Sequence, residues 1–562
     1  MNPNLPQINV EFLRQTRNDF VQEVISTTNE NDAINQIGEN ALYTQMTSGI
    51  LNSLQLTNEE TEIVRNIIEV HYDQQTPQIA TRDFLLLSTY LPIHIVPITP
   101  YLEYIPDNII VNILENILAP VAAFDTQEDM NHKANLLNIS HRYIAQRIEL
   151  DPHSEATGRC ADLILKAIDI NPCLNSSGDT LESLTQDRAN IFKYILNKLQ
   201  IPNTHEPTGK NESIGVFNSH VGNGDSTLYA IQILEDCKEK GIPTVFICDS
   251  GAAIPVQKQA ESLATQVLPL AKGIREAIKQ IQELDLHTLI FTDPLYDSKH
   301  PTFLLATQKL AKIQVALQNT IVTTGFDTIH HLLIDEVFSK DLNEQFTESL
   351  KTVHNLSKSL IKDIDTDKDI PTPTRKDINS DESTIIYVSA APIHTITPQV
   401  RETWISILKE RDNSKLLLLP YQEENYTEEE NRLFSYYFEI EATNQGVDNK
   451  NILILSDPIL TTQTLDSYLS LGDIYLDTFP NNSLYAVSRA SKLYLPIITL
   501  QGNTFREKTT SNIHCDENQA WPPSQNIEEY KFKATEAMKT NECSASKEEK
   551  QTSVVETILN IA

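Results

Sequence analysis

The stretch Leu471–Lys508, LGDIYLDTFPNNSLYAVSRASKLYLPIITLQGNTFREK, decides the fold class. DIYLDTF (473–479) is apolar and rich in strand formers, so it reads as a buried strand. Pro480-Asn481-Asn482-Ser483 is turn chemistry. Leu484 to Leu493 has helical spacing, and IITL (497–500) reads as a second buried strand whose loop turns at Gly502. A strand–loop–helix–strand unit places a loop and a helix N-terminus at the carboxyl edge of a parallel sheet. That edge is where α/β proteins hold phosphorylated ligands.

The unit is the last of a series. TIIYVSAA (384–391) reads as a strand, after which Thr397 and Pro398 open a helix as N-cap and first-turn proline. QVRETWISILKER continues that helix, with Trp404 as its core anchor, and KLLLLPY and NILILSD read as further strands. An earlier series starts at Ser213. SIGVFN, PTVFICD, HTLIFTD and KIQVALQ read as strands, and TLYAIQILEDCKEK, residues 256–282 and FLLATQKLA as helices between them. Strands alternating with helices predict parallel sheets. The first 200 or so residues carry apolar positions at three-and-four spacing, as in NEETEIVRNIIEVHY, DNIIVNILENIL and RCADLILKAIDI, without a 34-residue repeat.

The predicted organisation is an all-α region at 1–205 and a first Rossmann-like domain at 206–340. A charged linker at 341–382 leads to a second Rossmann-like domain at 383–530, and a helix with a polar tail closes the chain at 531–562. The linker ends in DIDTDKDIPTPTRKDINSDE. Its acids Asp363, Asp365 and Asp367 do not form an EF-hand, because Lys368 stands where glycine and Thr374 where glutamate is required. It reads as a solvated connection, and no metal ligands are assigned.

The length, 562 residues, exceeds one core, and 40% hydrophobic residues mark a globular chain. A formal net charge of -33 argues against nucleic acid or an anionic membrane surface as partner, so an anionic ligand needs a local basic or backbone-amide site. The six cysteines form no C-x-x-C pair. The N-terminus lacks a signal-peptide pattern, and no apolar run approaches a bilayer span; the region around Ile109–Ala123 is broken by Asn112, Glu115 and Pro120. A cytoplasmic protein without a membrane span is expected, compatible with a homo- or hetero-oligomer.

Four patterns carry a family resemblance. IGVFNSHVGNG (214–224), KIQVALQNTIVTTG (312–325), YVSAAPIHTITPQVRETWISILKERDNSKLLLLPY (387–421) and the opening segment resemble, in the same order, segments of the protein O-GlcNAc transferase family. That family includes the bacterial cytoplasmic transferases that glycosylate adhesins. The resemblance covers roughly residues 210–530. It implies a GT-B fold, two facing Rossmann-like domains behind a helical region that helps hold the acceptor. It also implies metal-independent, inverting transfer of a sugar, GlcNAc or a hexose, from a UDP-sugar to a protein or peptide side chain, with no cofactor beyond that donor.

Carried onto this sequence, the resemblance points to His220 as general base or acceptor-orienting group. It places the diphosphate against the amides of Ser483, Leu484, Tyr485 and Ala486, against Asn503, Thr504 and Arg506, and beside Arg489 or His394. The chain also departs from the family. The lysine that neutralises the leaving diphosphate is replaced by Thr395, which supplies no charge; one oxyanion donor alone is worth ~3 kcal/mol. The helix-start His-Thr-Thr cluster is replaced by Leu484-Tyr485-Ala486, and the acid that holds the ribose by Arg489.

Each residue also has a structural use open to it. His220 can cap a helix, His394 and the His330-His331 pair can pack, and Asp477 can organise its loop through hydrogen bonds. Two readings follow: an active UDP-sugar transferase, or a catalytically silent GT-B relative that serves as a binding or partner subunit. The retained GNTFR loop favours the first, and the missing lysine the second.

Overall fold

A computed structural model describes residues 10–40, 56–73, 77–91, 102, 105, 107–118, 124, 126–165, 170–176, 181–219, 224–249, 255–296, 301–338, 340–354, 356–362, 372–419, 428–455, 462–513, 521–537 and 554–561. They fall into two compact units, Met1–Pro120 with Glu128–Cys173, and Val121–Gln127 with Leu174–Ala562.

The first unit is helical, including Val10–Ser26, Glu30–Glu39, Asn58–Asp73, Pro77–Leu87, Asp107–Leu118 and Glu155–Leu163. Its interior holds a charge cluster. Glu60, fully buried, pairs with Arg14 and Arg17, and the Arg17 guanidinium lies 4.5 Å from the centre of the Tyr90 ring. Burial alone would raise the Glu60 carboxyl, but the Thr57 amide and the two guanidiniums bring it below its ordinary range.

The second unit contains two parallel sheets. The first has seven strands: β1 (Asn211–Asn218), β2 (Thr244–Asp249), β3 (Gln266–Leu270), β4 (Leu286–Phe291), β5 (Ala311–Leu317), β6 (His331–Asp335) and β7 (Ser349–Val353). Their order is β3-β2-β1-β4-β5-β6-β7. The second has five: β8 (Ile385–Ser389), β9 (Ser414–Leu418), β10 (Ile452–Ile454), β11 (Ile474–Leu476) and β12 (Ile497–Ile498), in the order β10-β9-β8-β11-β12. Both orders reverse direction once, between β1 and β4 and between β8 and β11. Such a reversal opens a crevice outside the carboxyl ends of the two strands.

Thr397 caps the helix Pro398–Glu410, its hydroxyl accepting from the Val400 amide at 3.3 Å, with Pro398 in the first turn as expected. Trp404, on the buried face of that helix, donates to the Tyr530 hydroxyl at 3.2 Å. One apolar core runs from the first sheet's helix Asp225–Glu239, through Leu356 and Leu360, to the helix Leu484–Lys492 of the second sheet. The helix Val554–Ile561 packs on the first-sheet side, where Glu556 pairs with Lys240 at 2.9 Å.

Three segments differ from expectation. Residues 256–282, expected to be one helix, contain strand β3 between the helices Pro255–Leu263 and Ile274–Gln282. Pro269 and Gly273 break the helical run, and an edge strand tolerates proline. Ser349–Val353, expected within a linker, pairs with β6 as the last strand of the first sheet. Its short alternating sequence carries little apolar signal because the strand lies at the sheet's rim. The helix Leu181–Lys198, expected with the N-terminal helices, belongs to the unit of the two sheets and packs on segments that connect strands of the first. Phe192 meets Phe303 edge to face at 4.8 Å, and Arg188 donates to the Tyr296 carbonyl at 2.8 Å. Gly325 explains how closely that helix approaches. It has φ +70°, and an added Cβ would stand 2.7 Å from the Thr185 carbonyl oxygen. Asp363, Asp365, Asp367 and Lys368 lie outside the described residues.

Candidate active site at the two sheet edges

The crevice of the first sheet is lined by strand-end residues that tie each other together. Asn218, the last residue of β1, donates through Nδ2 to Thr292 Oγ1 and to Asp293 Oδ1, both at 3.0 Å. Asp293 Oδ2 accepts from the Ser219 amide at 2.7 Å and from Thr302 Oγ1 at 2.8 Å. Above this floor the helix Asp225–Glu239 begins, with Gly224 at its N-cap and no side chain capping it. Asp225 Oδ1 accepts from the Ser226 amide at 2.6 Å. Enclosure by the protein, reinforced by the charge of Asp293, pushes the Asp225 carboxyl up to about 6, against the bonds from Ser226 and Asn319 that lower it.

Asn319 follows β5. Its Nδ2 donates to the Thr292 carbonyl at 2.7 Å and reaches Ser226 Oγ at 3.5 Å, while its buried Oδ1 has no hydrogen-bond partner among the described residues. Behind it, Gln318 donates to the Tyr229 hydroxyl at 2.7 Å and to Ser357 Oγ at 3.0 Å, and its Oε1 accepts from the Asp335 amide at 2.8 Å. Glu348, buried, accepts from Thr323 Oγ1 and the Thr324 amide, each at 2.8 Å, and fixes the Thr-Thr-Gly turn. His220 lies outside the described residues. The sequence reading missed Asp225, Asp293 and Asn319. Their signal was positional, polar residues placed just beyond apolar strands in Rossmann order.

The second crevice is built differently. Asp477, just beyond β11, is fully buried; its Oδ2 accepts from Thr499 Oγ1 at 2.8 Å and Thr510 Oγ1 at 2.6 Å, and its Oδ1 from the Thr478 amide at 3.0 Å. Burial pushes its carboxyl up to about 7 despite those three bonds. Asp477 therefore organises the strand end. Ser483 caps the helix Leu484–Lys492, its hydroxyl accepting from the Ala486 amide at 3.4 Å. Leu484, Tyr485 and Ala486 are buried in the apolar core that continues into Leu356 and Leu360.

The cations expected at a diphosphate turn inward. Arg489, with no exposed surface, pairs with Asp466 (Nε to Oδ1, 2.8 Å) and donates to the Lys362 carbonyl at 2.8 Å. It thus fastens the second sheet's helix to the segment that follows the first sheet. Arg506, 4% exposed, donates to the carbonyls of Leu174 and Ser176, both at 3.0 Å. Thr395 spends its hydroxyl on the Pro392 carbonyl at 2.8 Å, closing a local turn. His394, half-buried beside it, accepts at its carbonyl from Asn175 Nδ2 at 2.8 Å.

The Gly502–Arg506 loop is held by the residue that follows it. Glu507 Oε2 accepts from the amides of Asn503 at 2.7 Å and Thr504 at 3.0 Å, capping the helix Phe505–Ile513 with a carboxylate. A Cβ at Gly502 would run into Glu507, so the glycine leaves room for this cap. Phe505 is pinned by Gln345, which accepts its amide at 2.8 Å, and by the rings of Phe338 and Phe346. Thr504 Oγ1 is buried without a hydrogen-bond partner among the described residues. Among them, no group of three or more His, Cys, Asp or Glu could hold a metal ion, and no helix is long and apolar enough to cross a membrane.

An N-terminal helical region followed in sequence by two doubly wound parallel sheets matches the GT-B class of glycosyltransferase fold. Within that class, a mutant of the O-GlcNAc transferase of Thermobaculum terrenum is similar to 91% of this chain over 90% of its own, at 15% identity and a TM-score of 0.50. A sucrose-phosphate synthase of Thermosynechococcus elongatus is similar to 57% of this chain over 88% of its own (11% identity, TM-score 0.39). The pneumococcal O-GlcNAc transferase bound to UDP and GlcNAc is similar to 58% over 91% (11% identity, TM-score 0.33). At these identities the likeness speaks for the fold, and the first structure alone carries that argument. No protein-family model matches the chain, and no curated protein does.

Proposed function

We propose that this chain is an inverting, metal-independent glycosyltransferase that moves a sugar, GlcNAc or a hexose, from a UDP-sugar to a protein or peptide side chain. The observation that carries this reading is the extent of the likeness. Helical region and both sheets correspond to an O-GlcNAc transferase over nine-tenths of each chain. The donor would lie at the second sheet's edge, with its diphosphate at the first-turn amides of the Leu484–Lys492 helix and at Asn503 and Thr504. Thr504 Oγ1, buried and unpartnered among the described residues, is available to it. The phosphates would have to displace the Glu507 carboxylate from the Asn503 and Thr504 amides. The acceptor would enter at the first sheet's edge, where His220 is the candidate to orient it.

The second reading, a catalytically silent GT-B relative used for binding, is favoured by one specific observation. Arg489 and Arg506 are both buried against protein carbonyls. Incubation of the full chain with UDP-GlcNAc and UDP-glucose, with released UDP quantified, separates the two. Enzymatic UDP release supports the transferase, and none with either donor supports the silent relative.

A further inference from the structure

The first sheet's crevice holds more chemistry than its own framework consumes. Four of its members, Asn218, Ser219, Thr292 and Asp293, are bound to one another across the β1–β4 reversal. Asp225 and Asn319 stand beside that frame and are only partly used by it. Asp225 keeps some exposure, opens a helix of 15 residues, and is held in place by the Ser226 amide. Asn319 is 94% buried by its 6% exposure, and its Oδ1 accepts nothing from the described residues. A buried acceptor left unused carries a desolvation cost that a bound donor group would recover.

We propose that Asp225 is the general base of the transfer, taking the proton from an acceptor hydroxyl, and that Asn319 Oδ1 orients the acceptor by accepting a hydrogen bond from it. The proposal rests on the transferase reading above. The acceptor oxygen attacks the anomeric carbon, and the bond from that carbon to the diphosphate oxygen breaks. UDP leaves with the bonding electron pair, and the hydroxyl proton passes to the Asp225 carboxylate and then to solvent. No other reactant is needed.

The two carboxyl groups of the crevice are placed in unlike surroundings, a usual way to separate acid–base roles. Asp293 accepts from Asn218, Ser219 and Thr302, which fits it to hold the frame. Asp225 has the carboxyl shifted toward neutral pH. The groups that face it are Asp293 from the end of β4, Ser226 and Tyr229 on its own helix, and Asn319 from the end of β5.

The test is UDP release from UDP-GlcNAc, with water as the acceptor, measured from pH 5 to 8.5 on the full chain. Calorimetric UDP affinity is measured on each variant as the check on folding. The wild-type rate should rise with pH and level off above about pH 6. Asp225→Asn should lower the rate about 100-fold or more, the usual worth of a general base, and abolish the bend while UDP affinity stays within about twofold. Asp225→Glu should recover part of the rate, and Asn319→Ala should lower it about tenfold. Wild-type turnover with an unaffected Asp225→Asn, or with the bend carried by His220→Ala instead, overturns the assignment of Asp225 and leaves the transferase reading standing. A wild type that binds no UDP, or that binds it and releases none from the donor, overturns both.

Discussion

The two sheet edges share a strand order and differ in how they spend their polar atoms. Each carries an aspartate at the reversal, Asp293 in the first and Asp477 in the second, bound by three donors. In the first crevice a second layer remains above that frame, where Asp225 meets the helix start and Asn319 keeps an unused acceptor. In the second crevice the next layer is consumed by the fold. Arg489 and Arg506 have become ties between segments, Thr395 closes a turn, and Glu507 accepts from the Asn503 and Thr504 amides. The same topology thus gives one edge that keeps an unused buried acceptor beside a helix start and one whose cations are bound to the fold.

Arg489→Ala should break this contrast most severely. It leaves the half-buried Asp466 beside Lys492 alone and frees the Lys362 and Leu360 carbonyls, a loss on the order of 3 kcal/mol read from denaturant unfolding. Arg489→Lys should not restore it, since one ammonium cannot serve the carboxylate and the carbonyls together.

Asp477 gives a pH test. Its folded carboxyl sits near 7 and its unfolded one near 3.8, so both states are neutral below the lower value. As pH rises toward 7 the unfolded state ionises first, and stability is lost across that window. Asp477→Asn should therefore gain thermal stability relative to wild type from pH 4 to pH 7, on the order of 2–4 kcal/mol. A constant offset between the two melting curves would show that Asp477 is charged throughout.

Arg506→Ala should cost about 2 kcal/mol by releasing two carbonyls, with UDP affinity changed less than about threefold. Loss of UDP binding alone, with stability intact, would instead place Arg506 at the ligand. The smallest effect expected on stability is that of Glu507→Ala, about 1 kcal/mol of lost cap. Its UDP affinity should tighten, because the Asn503 and Thr504 amides no longer have a competing carboxylate.

The fold was legible because its signals are local. Alternating apolar strands, Thr397-Pro398 at a helix start and the Pro480–Ser483 turn each report on neighbouring residues. Where a signal was weak the reading erred, as in β3, whose QVLPL sits between two good helices, and β7 at the sheet's rim. Ser483 and Asp477 were also readable, since cap and strand-end roles follow from position. The destinations of Arg489 and Arg506 were not, because their partners lie 23 to 332 residues away and are mostly backbone carbonyls with no sequence signature. Asn319 was hidden for the same reason; an unused acceptor exists only once its neighbours are in place.

The most direct measurement is a calorimetric titration of UDP into the full chain, wild type and Glu507→Ala side by side. One-site saturable binding is expected for both, with the variant binding more tightly. No heat of binding in either protein at millimolar UDP would contradict a nucleotide-sugar site at the second sheet's edge, and with it the transferase.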